Sequence, residues 1–287
     1  MVNLALSVIF SSLIFVIFKL FRKYDIETLY AIITNYFVAC IVGVLFYQKN
    51  VSYAEIPKKP WFLGSLLLGF LFILVFNLMA ATSQKSGVSV ASVATKMSLV
   101  IPVLFSVGFY NEKLSFLKIV GIVLALAAVY FVSVKEKGFK INKRVLILPL
   151  SVFIGSGIID TSIKYLETSW VPQEEFPLFS AAVFASAASI GFIYLIIKSF
   201  KTRISINLKN VLAGVCLGIP NYFSVYFLLN ALQHESLSTA TVFTLNHVAI
   251  VMLSTLLGII LFKEHMSKKN WAGIALAVAS IFLVALF

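Results

Sequence analysis

Ten apolar runs follow one another along the chain, each close to the roughly twenty residues that carry a helix across a bilayer. A lipid interior offers no water to backbone N–H and C=O groups, so such runs must close their hydrogen bonds within themselves as helices. They fall at approximately 2–21, 28–47, 61–82, 88–110, 115–134, 145–166, 176–198, 209–232, 238–262 and 269–287. The expectation is an all-α integral membrane protein with ten transmembrane helices. Hydrophobic residues make up 61% of the chain and charged ones 12%, which excludes a soluble fold. The first run lacks a basic leader segment and a small-residue cleavage site, and Lys19 and Arg22 follow it, so it reads as a span and not a removed signal.

The net charge of +12 does not point to nucleic acid. Most lysines and arginines sit in short connections between apolar runs, where the positive-inside effect accounts for them. They concentrate in the odd connections: after Lys19, at Lys85, through Lys135 to Arg144, from Lys198 to Lys209, and from Lys263 to Lys269. That bias places both termini outside. Cys40 and Cys216 lie inside apolar runs without metal-like spacing and read as small buried hydrophobes. No HExxH, GxSxG, Walker loop, Cys/His cluster or Rossmann fingerprint is present, and little chain is left outside the bilayer. An enzyme is not expected, nor a cofactor or metal.

One charge sits close to the middle of a span. In GVSVASVATKMSLVIPVLFS, from Gly87 to Ser106, Lys96 would cost about 2.5 to 3.5 kcal/mol at the bilayer centre. On a helix, Ser89, Ser92, Lys96 and Ser106 fall near one stripe, with Thr95, Ser98 and Pro102 beside it, so this face meets protein or water rather than lipid. Either Lys96 lines a substrate path, or it is neutralised by burial or paired with an acidic neighbour.

The chain also resembles itself. NEKLSFLKIVGIVLALAA from Asn111 matches KEHMSKKNWAGIALAVAS from Lys263, setting Glu112 on Glu264, Ser115 on Ser267 and Gly121 on Gly273. NLMAATSQKSGVSVAS from Asn77 parallels FLLNALQHESLSTAT from Phe227, with Ser86 on Ser236. Glu27 pairs with Glu175, Gly43 with Gly191, and Lys19 with Lys164. The order never scrambles, so the expectation is two five-helix repeats, residues 1–135 and 145–287, joined by a basic linker, 136–144. An odd number of crossings per copy forces the two repeats into opposite orientation.

With these features the chain resembles the drug/metabolite transporter superfamily, in its ten-helix form with two EamA repeats. The carriers are the duplication, the E-(K/H)-(L/M)-S turn at Glu112 and Glu264 before G-I-x-L-A, the small-residue starts after Ser86 and Ser236, and the lysines closing the first helix of each half. The resemblance implies a transporter, and it implies both termini inside, against the charge bias. Two departures stand out: the proline common in the fourth helix of a repeat is present as Pro102 but absent from the ninth helix, and a first-helix glycine appears as Gly155 or Gly157 only in the second half.

The candidate substrate-binding residues are Lys96, Asn77, Asn246, His247, Asp160 and Asn221. Lys96 would anchor an anionic group, and Asn77 and Asn246 would hydrogen-bond substrate. Asn246 aligns with Lys96 under the repeat, and His247 or Asp160 would titrate if protons are the coupling ion. Each has a structural alternative. Asp160 and Lys164, four apart, can pair with each other; His247 can be a hydrogen-bonded core residue; and Asn35, Asn77, Asn221 and Asn230 can tie helix to helix. Lys19 is expected to snorkel, and Gly218-Ile219-Pro220-Asn221 to kink its helix. The expected function is secondary transport of a small polar, possibly anionic, metabolite or drug by alternating access. The alternative is a lipid-binding or lipid-flipping protein. The expected setting is a bacterial inner membrane, as a monomer or weak homodimer.

Overall fold

The computed structural model describes residues 1–46, 53–110, 115–133, 143–200, 207–232 and 239–286. Glu112, Ser236 and most of the basic linker from Lys135 lie outside the described residues, as does part of the charge bias used for orientation. The described elements are α1 (Val2–Lys23), α2 (Thr28–Phe46), α3 (Phe62–Lys85), α4 (Val88–Met97), α5 (Val100–Tyr110), α6 (Phe116–Ser133), α7 (Lys143–Ser169), α8 (Phe176–Ser199), α9 (Leu208–Leu232), α10 (Thr239–Phe262) and α11 (Lys268–Leu286). Among the described residues there is no strand. Ten helical stretches are long and apolar enough to cross a membrane, with α4 and α5 together forming the fourth, Val88–Phe109. The chain is an all-helical, multi-pass membrane protein.

The outer surface is what a bilayer demands. Leu63, Leu67, Phe70 and Leu74 run exposed along α3 at helical spacing, as do Ile193 and Ile197 on α8. The interior holds a cluster of rings and branched aliphatics from α1, α2, α3 and α8, including Phe18, Tyr36, Phe76 and Phe184. Cys216 departs from expectation: it is exposed on α9, because its position faces outward beside Leu212 and Ile219 and not toward α2.

Contacts between the halves are reciprocal. α1 packs on α9 and α10, while α7 packs on α3 and α4; α2 packs on α9, while α8 packs on α3. α6 and α11 pair along their length. A Cβ on Gly121 would meet Val284 at 2.7 Å, and one on Gly273 would meet the Val132 nitrogen at 2.7 Å, so each glycine admits the far end of the opposite helix. Ser280 donates to Gly121 O (2.7 Å) and Asn270 to Val132 O (2.8 Å), closing the two ends of the same seam.

One span is not the continuous helix expected. The fourth breaks at Ser98 and Leu99, between α4 and α5. Pro102 supplies the cause: it has no N–H for the carbonyl four residues back, Ser98 O, and its ring crowds that carbonyl. Ile101 N takes over that acceptor at 2.9 Å, tightening the chain by one residue. Pro220, where a kink was expected, leaves α9 one helix from Leu208 to Leu232.

Candidate functional site

The break sits near the middle of the fourth span and gives two half-helices whose inner ends meet there. Lys96 lies in the last turn of α4, where free carbonyls carry the negative end of the helix dipole. A cation there gains about 0.3 to 1 kcal/mol, up to about 2 when partly buried, against the roughly 2.5 to 3.5 kcal/mol of its insertion. The break therefore offsets a good part of the lysine's cost, and a nearby carboxylate adds to it.

That carboxylate is Asp160 of α7. Ser98, the residue at the break, points its hydroxyl at Asp160 Oδ2 (3.1 Å) and at its own helix through Thr95 O (2.5 Å). One hydroxyl proton serves one acceptor at a time, so Ser98 is shared between the helix end and the carboxylate. Asp160 thus faces the positive end of α5 while Lys96 sits at the negative end of α4. The two charges are close enough to interact, yet among the described residues Lys96 makes no direct ion pair. Lys96 also feels His247 of α10, and α4 packs on both α7 and α10.

Asp160 is exposed although it lies opposite Ile147 and Ile158, which face outward on the same helix. Lys96 and His247 are half-buried, deep among surrounding atoms. Asp160 therefore keeps accessible surface on the side of α7 from which it meets Ser98 of the fourth span. Packing along the fourth span is uneven. α4 is held by α1, α3, α6, α7, α10 and α11, whereas the only substantial partner of α5 among the described residues is α7.

The other candidates divide. Asn246 is buried at 1% exposure, and among the described residues its Oδ1 has no hydrogen-bond partner. His247, its neighbour, lies tilted against Phe243, ring centroids 6.2 Å apart. Asn77 is half-buried and turns its Nδ2 back to Ile73 O at 2.8 Å. Asn221 is buried and donates to Asn35 Oδ1 (3.1 Å), joining α9 to α2. Asn230 bonds Tyr226 O within α9.

Of the two readings left open for Lys164, pairing with Asp160 is not the one seen: it donates to Ser106 Oγ at 3.0 Å across to α5. Lys19 reaches Gln84 O (3.4 Å) and Glu264 (3.5 Å) at the end of the bundle. The bridging part of Ser98 was not found from sequence. The only sequence signal for it was a proline four residues on.

The sequence profile of the EamA-like transporter family matches residues 1–134 and again 144–286. An uncharacterised protein of Haemophilus influenzae is 30% identical across 98% of this chain and 96% of its own length. An uncharacterised transporter of Archaeoglobus fulgidus is 27% identical over the same shares. A solved crystal structure superposes with a TM-score of 0.62 at 17% identity, covering 99% of this chain and 96% of that one, which supports the fold.

Proposed function

Because the chain belongs to the EamA-like transporter family, we propose that it is a secondary transporter of a small polar metabolite carrying an anionic group, with Lys96 as the anchor. The observation that carries this reading is the state of Lys96: a half-buried ammonium at the inner end of a half-helix, beside the accessible surface of Asp160 and, among the described residues, without a direct ion pair; we read that accessible surface as an internal hollow. A structural lysine would be closed off by its counter-ion; this one keeps donors free.

Around it, Asn246 offers an unpaired buried acceptor that calls for an N–H or O–H donor from substrate. His247 and Asp160 flank the ammonium and are the groups that would exchange a proton if the coupling ion is H+. Asn77 lies on α3, which packs on both α4 and α7, with its Oδ1 free to accept. Asn221 belongs to the frame through Asn35. The reciprocal contacts between halves support two inverted repeats, and the break at Ser98 gives one of them a hinge for alternating access.

The test is thermal stabilisation of purified protein across a metabolite panel, with Lys96→Met as control. A metabolite at 100 times its Kd stabilises by about 2.7 kcal/mol. The reading predicts anionic compounds that raise the wild-type Tm and leave the variant unmoved. Equal shifts in both end it.

A lipid-handling reading has one observation in its favour: a groove of about 280 Å³ on the outer flank, lined by Ile17, Leu20, Phe21, Ala213 and Cys216 with Lys209 at its rim. Phospholipid retained through purification, with no metabolite shift, would favour it.

A further inference from the structure

The densely packed end of the fourth span is held by one carboxylate. α4 begins at Val88, preceded by Gly87, which has no side chain to cap the helix and holds φ at +128°, a conformation L residues rarely adopt. The cap comes from elsewhere. Glu264, beyond the end of α10, accepts from Val88 N through Oε1 (2.9 Å) and from Ser89 Oγ through Oε2 (3.4 Å). Lys19 of α1 approaches the same Oε1 at 3.5 Å. Lys19 and Arg22 also donate to Gln84 O at the end of α3, and Gln84 Nε2 donates to Thr28 at the start of α2. Glu264 thus joins the ends of α1 and α10 to the start of α4, inside a net that reaches α2 and α3.

The space is shaped for that carboxylate. A Cβ on Gly87 would lie 3.0 Å from both of its oxygens, and a Cβ on Gly258 would lie 2.7 Å from Oε2. Two glycines, one just ahead of α4 and one within α10, leave room for one side chain, and any larger residue at either would push it off Val88.

We propose that Glu264 is the gating residue of this protein. Its carboxylate clamps α4 shut at the end of the bundle where α1 terminates, and access to Lys96 from that side requires its release. α4 is a single rigid half-helix between the two points. Val88 sits under Glu264, Lys96 lies eight residues on, about 12 Å, and the break at Ser98 follows. Releasing the near end lets α4 swing on that break, so clamp and anchor move as one body. The proposal rests on the transport reading, which supplies the need for opening at this end, but its test does not use transport.

The probe is a cysteine at Ser92, which is buried on α4 on the same stripe as Lys96 and between it and the clamp. It is placed in a chain carrying Cys40→Ala and Cys216→Ala. Right-side-out and inverted vesicles give an impermeant thiol reagent access to each face. With Glu264 intact, modification from the α1 C-terminal face is slow. Glu264→Gln, which keeps the shape, and Gly87→Ala, which keeps every charge, should each raise that rate tenfold or more. The exchange Lys19→Glu with Glu264→Lys should stay fast, because an ammonium cannot accept the Val88 N–H; restoration of the slow rate would reduce the clamp to a simple ion pair and overturn the proposal. Unchanged rates in both single variants, each verified as folded by its elution volume, would also overturn it. If metabolite stabilisation persists beside unchanged rates, the transport reading survives and the clamp falls. Faster rates without any metabolite response keep the clamp and remove the transport reading.

Discussion

The fourth and ninth spans occupy matching places in the two halves and differ in what they do there. The fourth is broken at Ser98, carries a charge in the turn before the break, and has Pro102 to enforce it. The ninth, α10, runs unbroken from Thr239 to Phe262, carries neutral Asn246 where the alignment sets Lys96, and has no proline. A charge at mid-membrane needs helix ends or water; an amide does not. The comparison suggests a division of labour, with one half supplying charge and hinge and the other a stiff wall with an unpaired acceptor.

The largest effect is expected from erasing the charge. Lys96→Met should lower transport of whatever metabolite the panel identifies by about 30-fold or more, the factor that a lost 2 kcal/mol charge contact implies. Its Tm should hold or rise, since the insertion cost goes with the charge. Transport assays on vesicles, beside the melting curve, check both.

Making the fourth span resemble the ninth comes next. Pro102→Ala restores the donor to Ser98 O and should stabilise the protein by about 1 to 2 kcal/mol while slowing turnover, the mark of a stiffened hinge. Faster or unchanged turnover would place the hinge elsewhere. The converse change on the ninth span, Asn246→Leu, removes a buried unpaired acceptor and should raise stability by about 1 kcal/mol. Metabolite affinity should fall, by less than for Lys96→Met. Denaturation in detergent and binding titrations read these.

The smallest effect is expected on the aligned pair Glu27 and Glu175, each just ahead of the second helix of its half. Glu175 accepts from Lys59 Nζ (2.7 Å) and from the buried Trp61 indole (2.8 Å), and these bonds hold its carboxyl below its usual range. A depressed carboxyl stabilises fully above its unfolded value and loses that stabilisation as pH falls through the folded one. Glu175→Gln should therefore cost about 0.5 to 1 kcal/mol at pH 7, and the gap from wild type should close in acid, below about pH 4. Glu27→Gln should cost less, because at Glu27 it is the backbone N–H, bonded to Asn210 Oδ1, that holds the position.

Most of the architecture was legible because it is written in length and period. Ten spans, the serine stripe around Lys96 and the lipid-facing lines follow from apolar runs and helical spacing, and the helix ends fall within a few residues of expectation. Side-chain partners were not legible, because they depend on which helices meet. Lys164 turning to Ser106, Asp160 meeting Ser98 and Lys19 meeting Glu264 are contacts across 58, 62 and 245 residues of chain, with no local pattern to announce them. The two prolines teach the same lesson. Pro102 and Pro220 each remove a helix bond, but only at Ser98, whose freed carbonyl accepts from Ile101 N and whose hydroxyl donates to Asp160, does the helix part.

The most direct test of the central claim is the reactivity of a cysteine at position 96. In a chain with Cys40→Ala and Cys216→Ala, Lys96→Cys should react in the folded protein with a water-soluble aminoethyl thiosulfonate, which rebuilds an ammonium on the side chain, and metabolite stabilisation should return with it. No reaction until the protein is denatured would mean that position 96 is sealed between helices, and the account of a charged anchor in a wet hollow would be wrong.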